Sequence, residues 1–304
     1  MNKTMSVKAA ALAAATFAIA CAHAEPVDIL KKVRETGTIT MGVREASGAM
    51  SYSLGDGKYT GFHHDVCTRV IADIQKQIGL KKLDVRYQLV TAQNRIPLVQ
   101  NGTVDIECGT TTNNATRQKD VAFAPTLYIE EVRIAVKSSS GITGIAQLAN
   151  KSVSTTSGAT SVQLLRKHER TSGIDFREVF GKDNSEGFLL LESGRADAFV
   201  ADGQILATLI AQSRQPGNYR ILNDVLSVEP IAIMLPKDDP LFKQAVDASI
   251  KAMAKSGEVA QLYDKWFVQA IPPNNTRVGL PASALTRAAW ANPSDKPLED
   301  YVRK

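Results

Sequence analysis

Cysteine is scarce in this chain, with three residues among 304. No pair is spaced CxxC, no HExxH occurs, and His63 and His64 are neighbours that cannot easily aim at one ion, so no metal set is expected. Aromatic residues reach only 6% and do not alternate with basic ones, which argues against a stacking groove for nucleic acid. A surplus of one charge is missing too: 36 Lys+Arg face 31 Asp+Glu, and the basic residues are scattered. Beyond the N-terminus no apolar run approaches the ~18 residues that suggest a membrane span. No cofactor motif is present.

What the chain does have begins at its N-terminus. Lys3 and Lys8 precede the alanine-rich apolar stretch Ala9 to Ala20, and Ala22-His23-Ala24 follows before Glu25. This is the pattern of a secretory signal with an A-x-A cleavage site, its apolar part too short for a membrane helix. Residues 1–24 are therefore read as a cleaved signal peptide and the mature protein as exported. Lipidation at Cys21 is the less favoured alternative, since a small residue stands three positions before it. Removing residues 1–24 leaves 280 residues, enough for two lobes.

Cys67 and Cys108 survive that processing. In an oxidising compartment such a pair favours a disulfide, and a helix carrying Cys67 packed on a strand ending in Cys108 could join them. The alternative is two separately buried thiols.

The hydrophobic pattern alternates strands and helices. Strands are expected at Thr38 to Val43, Leu83 to Val90 and Val104 to Glu107, with helices at Gly61 to Ile78 and from Arg95 to Asn101. After the break Ser138-Ser139-Ser140-Gly141 the rhythm repeats, with strands at Ser152 to Thr156, Glu178 to Gly181 and Ala196 to Ala201 and helices at Ser161 to Arg170 and Ser185 to Ser193. This is an α/β chain of two lobes with mainly parallel sheets, the second inserted in the first. Thr126 to Lys137 and Leu226 to Pro236, extended and β-branched, are the expected hinge strands. Pro240 to Trp266 reads as two helices returning to the first lobe. The boundaries follow as lobe 1 at 25–131 and 232–280, lobe 2 at 132–231, and a polar tail at 281–304 packed on the surface.

Open parallel sheets bind ligands beyond the carboxyl ends of their strands. Arg44 follows the first strand. Gly109-Thr110-Thr111-Thr112 follow Val104 to Glu107, Ser157 to Thr160 follow Ser152 to Thr156, and Asp202 follows Ala196 to Ala201. Arg95 and Arg117 flank the hydroxyl cluster. A guanidinium is a planar fork matched to a carboxylate, so two forks suggest two carboxylates, and threonine hydroxyls beside a glycine add donors without bulk. Each residue alone has a plainer use. Arg44 could be a solvated charge, Asp202 could cap a helix starting at Gly203, Thr110 to Thr112 could cap the next helix, and Asn113-Asn114 suit turn contacts.

The string QNRIPLVQNGTVDIECGTTTNNATRQ, with ESGRADAFVADG, DKWF and IPPNN in order along nearly the whole mature chain, resembles the periplasmic glutamate/aspartate-binding proteins of polar amino-acid ABC importers, solute-binding protein family 3. The resemblance implies the type II periplasmic-binding fold closing on an amino acid, with delivery to a membrane ABC permease by a monomeric carrier. It implies that Arg117 clasps the α-carboxylate, helped by Thr112 and the backbone around Thr110 and Thr160. Asp202 would take the α-ammonium, and Arg44 and Arg95 the side-chain carboxylate. Asn184 stands where close relatives carry a ligand-facing histidine, Ala92 where they carry serine, and Thr110 where serine is usual. An acidic amino acid is the expected ligand, with glutamine or a related dicarboxylate as the alternative. An enzyme resembling periplasmic dehydratases is a further alternative. It would need a cleft acid of raised pKa, for which only Glu45 and Asp202 stand at strand mouths.

Overall fold

The computed structural model describes residues 28–302, so the expected signal segment and Cys21 lie outside the described residues. Ten strands share one sheet. Its main path runs Arg177–Gly181, Ser152–Thr156, Ala198–Asp202, Tyr128–Lys137, Ser227–Pro236, Ile106–Thr112, Thr38–Val43, Asp84–Leu89. On one side Thr38–Val43 is parallel to both Asp84–Leu89 and Ile106–Thr112. On the other, Ser152–Thr156 is parallel to Arg177–Gly181 and Ala198–Asp202. Between them the two long strands run antiparallel to each other, paired from Ser227↔Val132 to Ile231↔Tyr128. The central strands are buried along most of their length, whereas the edge strands Arg177–Gly181 and Asp84–Leu89 are more exposed.

The strand Tyr128–Lys137 serves two cores. Tyr128 packs with Phe62, Ile106, Phe242, Tyr263 and Phe267, whereas Val132, Ile134 and Val136 pack with Val153, Leu165 and Val200. The change falls between Tyr128 and Val132, in the stretch paired with Ser227–Pro236, which gives two separately packed lobes linked by two strands. Cys67, on the helix Phe62–Gln77, is disulfide-bonded to Cys108 on Ile106–Thr112, with a Cα–Cα distance of 6.4 Å. Both lie in the first core.

Local signals set the element ends. Asp28 caps Ile29–Thr36 by accepting from the Lys31 N–H, and Gly37 ends that helix in the left-handed region. Asp239 caps Pro240–Ser256 with proline in its first position. The break at Ser138–Ser140 is a short 3-10 turn closed by left-handed Gly141.

Three features depart from the sequence reading. The hydroxyl cluster does not follow a strand ending at Glu107; the strand is Ile106–Thr112 and contains it. The reason is pairing: Ile231↔Thr112 and Ala232↔Thr111 carry the ladder on, with a register shift before Met234↔Glu107. The cluster therefore caps no helix. Next, Ala46–Ser47, Ser51–Gly55 and Lys58–Thr60 form a small antiparallel sheet that period-2 patterning did not reveal. Finally, the tail does more than coat the surface. Trp290 Nε1 donates to the Leu127 carbonyl, the Ile129 N–H to Thr286 Oγ1, and Asn113 Nδ2 to the Asp295 carbonyl, so it straps one hinge strand and the end of the threonine strand.

Among the described residues no helix is long and apolar enough to cross a membrane, and no group of three His, Cys, Asp or Glu residues could hold a metal ion.

Candidate functional site

The carboxyl ends of the strands of both lobes face each other across a small cavity. Its lining includes Arg44, Ala92, Arg95, Thr110, Thr112, Thr160, Asn184 and Asp202. Seven of the eight residues expected at the ligand are thus brought together; Arg117 is the exception. It sits half-buried at the rim in the 3-10 turn Arg117–Lys119, its Nη1 donating to the Thr112 carbonyl at 2.9 Å.

Arg44 and Arg95 are each 3% exposed. Arg95 begins the helix Arg95–Gln100 and donates from Nη1 to the Thr110 carbonyl at 2.9 Å, while its Nε is buried without a partner. The hydrogen bond Arg44 donates is from its backbone N–H, to Ser51 Oγ, and its guanidinium finds no protein acceptor among the described residues. None of the three arginines makes an ion pair within 4.0 Å among the described residues. Each guanidinium carries five N–H donors, so most of this capacity has no use inside the protein. Burial, and then the charge of Arg95, lower Arg44 to about 10. The same causes in the same order bring Arg117 to about 9. All three remain cationic at neutral pH.

Gly109 makes this crowding possible. A Cβ there would overlap the Glu107 carboxylate and lie 2.8 Å from Arg44 Cγ. Buried Glu107 accepts from Thr111 Oγ1 at 2.7 Å and supplies a counter-charge to Arg44 from below. His63 holds the Gly109 carbonyl through Nδ1 at 2.6 Å. A carbonyl only accepts, so Nδ1 carries the proton; burial lowers His63 to about 4 and keeps it neutral.

Across the cavity, Asp202 is the N-cap residue of Gly203–Gln212, yet its side chain makes no capping bond. Glu130 Oε1, from the hinge strand, approaches that helix start instead, accepting from the Gln204 N–H at 3.4 Å and the Glu131 N–H at 2.9 Å. The Asp202 carboxylate is thereby left to the cavity. Burial and then the negative charge of Glu229 push Asp202 up to about 7, with Arg95, Arg44 and Arg117 pulling the other way. Burial, followed by Asp202, also raises Glu130 well above the usual carboxylate range.

The helix Thr160–Ser172 starts at the cavity with no side-chain cap, so its first N–H groups are available to an anion. Asn184 is largely committed: Oδ1 accepts from Thr156 Oγ1 and Nδ2 donates to the Ala46 carbonyl, both at 2.7 Å, leaving one amide N–H. The Ala46 bond and that of Gln204 Nε2 to the Ser47 carbonyl at 3.3 Å join the lobes, so the cleft is closed. Asn113 and Asn114 make turn and tail contacts, Asn114 Oδ1 accepting from the Arg117 N–H. Glu107, Glu130, Glu229 and His63 were not anticipated from sequence. A lone acid in a β-rich run carries no local signal of a site.

Residues 39–269 match the family described as bacterial extracellular solute-binding proteins, family 3. The chain is 41% identical over 301 residues to an L-glutamate/L-aspartate-binding protein of Pseudomonas aeruginosa, covering 98% of this chain and 99% of that one. It is 39% identical over 269 residues to a glutamate/aspartate import solute-binding protein of Escherichia coli, covering 88% of this chain and 89% of the relative. Among solved structures it resembles an ancestral amino acid-binding protein described as a precursor of cyclohexadienyl dehydratase, at 25% identity and a TM-score of 0.67, covering 79% of this chain and 99% of that one. Fold, cleft and sequence agree, and the chain belongs to the bacterial extracellular solute-binding proteins, family 3, with their two-lobed type II periplasmic-binding fold.

Proposed function

We propose that the protein is an exported, monomeric carrier that closes on an acidic amino acid in the periplasm and delivers it to an ABC permease. Its lobes would be 25–131 with 232–280 and 132–231, with 281–304 as a C-terminal tail packed on the surface. The observation that carries this reading is the pair of buried guanidiniums, Arg44 and Arg95, with most of their donors lacking a protein acceptor, facing a carboxylate that does not cap its own helix. Arg44 and Arg95 hold the side-chain carboxylate. Arg117, with the N–H groups opening Thr160–Ser172, holds the α-carboxylate, and Asp202 takes the ammonium. The zwitterion with an extra carboxylate brings one net negative charge to a set rich in cations, which offsets the several kcal/mol that burying each ion costs. The names of the two curated relatives support glutamate and aspartate as ligands.

A thermal-shift screen over the twenty amino acids and small dicarboxylates tests the proposal, since a ligand at 100 times its Kd adds ~2.7 kcal/mol of stability. L-Glutamate and L-aspartate should give the largest shifts, and a screen led by neutral or basic amino acids would sink the assignment. The Asp202 carboxyl at about 7 also suits a general acid. Recovering the ligand chemically unchanged after incubation is the result expected of a carrier, and its conversion would favour an enzyme.

A further inference from the structure

Behind two of the cavity threonines stands a carboxylate that so far enters the site only through its charge on Asp202. Glu229 lies on the hinge strand Ser227–Pro236 and is 1% exposed. Its Oε2 accepts from Thr112 Oγ1 at 2.7 Å and from Thr160 Oγ1 at 2.9 Å, while Oε1 is buried with no partner. The two donors come from different lobes, Thr112 ending Ile106–Thr112 and Thr160 opening Thr160–Ser172. A hydroxyl has one proton and two lone pairs. With both protons given to Glu229, what Thr112 and Thr160 present to the cavity they line is lone pairs. Lone pairs repel a carboxylate and attract an ammonium, and Asp202 lines the same cavity.

We propose that Glu229 is a positioning residue that fixes the Thr112 and Thr160 hydroxyls as acceptors and so makes one wall of the cavity, with Asp202, a receptor for the ligand's ammonium. Because its donors sit on opposite lobes, this wall is complete only in the closed form. The assignment rests on the amino-acid reading above and changes one part of it. The Thr112 hydroxyl, expected from the resemblance to assist the α-carboxylate, serves the ammonium, and the carboxylate is left to Arg117 and the helix N–H groups.

The test compares L-glutamate with glutarate, the same diacid without its ammonium, by calorimetry on wild-type protein, Glu229→Met and Glu229→Gln. Methionine fills the space without a comparable acceptor. Glutamine loses the charge but keeps a carbonyl with two lone pairs that can take both hydroxyl protons. The expected result is that Glu229→Met weakens L-glutamate at least about tenfold, the worth of one hydrogen bond to a charged group. Glutarate should hold or tighten, and Glu229→Gln should recover most of the L-glutamate affinity. The double variant Thr112→Val, Thr160→Val should reproduce the methionine phenotype with Glu229 intact, and serves if Glu229→Met does not fold. Equal losses for both ligands, or glutamine behaving like methionine, would show a structural or purely electrostatic role and overturn the inference. Wild-type protein that takes neither ligand would instead remove the amino-acid reading, and this inference with it.

Discussion

The proposed assignment of Asp202 to the ligand's ammonium makes binding depend on pH in a calculable way. In the ligand-free protein its carboxyl titrates at about 7, raised by burial and by the charge of Glu229. An ammonium gains from the ionised form, so binding must expel whatever proton Asp202 holds. At pH 6 about nine-tenths of the molecules carry that proton, and at pH 8 about one-tenth do. Affinity for an acidic amino acid should therefore be about tenfold weaker at pH 6 than at pH 8. The sign for stability is opposite. A carboxyl whose folded pKa is raised contributes most below its unfolded value near ~4 and loses that contribution as pH rises through about 7, so ligand-free protein should lose stability from this group over that window. Calorimetry at pH 6 in buffers of different ionisation enthalpy counts the proton directly: most of one proton released per ligand for wild type, and close to none for Asp202→Asn. That variant also separates Asp202 from Glu130, which is raised as well. A wild-type affinity flat from pH 6 to pH 8 with no proton released would refute the assignment of Asp202 to the ammonium.

Arg117→Ala should cost ~2–5 kcal/mol of affinity by stranding a carboxylate, whereas Arg95→Ala should weaken acidic ligands more than neutral ones; matched titrations with L-glutamate and L-glutamine read both. Gly109→Ala forces a methyl group against Glu107 and the Arg44 stem, and should cost ~1–3 kcal/mol in chemical denaturation along with ligand affinity. Replacing Cys67 and Cys108 by serine opens a link spanning 41 residues and should lower stability by about 4 kcal/mol on chain-entropy grounds, read as a falling denaturation midpoint.

Much of the lobe architecture is legible in the sequence because most strands and helices carry their own period and some carry their own caps. Strand-end positions also mark Arg44 and Asp202, since a parallel sheet sends its carboxyl ends to one edge. What local patterns do not reveal is the pairing partner. Thr110 to Thr112 look like a loop until Ser227–Pro236 extends their ladder. Glu229 lies 117 residues from Thr112 and 69 from Thr160, and in a β-rich run it reads as one polar interruption. Asp202 reads equally as a helix cap, but its side chain makes no capping bond: Glu130, 74 residues away in the chain, approaches that helix start, and Asp202 lines the cavity. Asn184 stands where a ligand-facing side chain is expected, but its bond to the Ala46 carbonyl ties it to the opposite lobe.

The most direct test is a crystal structure of the protein grown with L-glutamate. The account predicts one ligand between the lobes, its two carboxylates each within ~2.7–2.9 Å of a guanidinium nitrogen, the side-chain end at Arg44 and Arg95, and its ammonium on Asp202. A ligand seated with its ammonium toward Arg44 and Arg95, or a cleft in which those guanidiniums turn away to solvent, would contradict it.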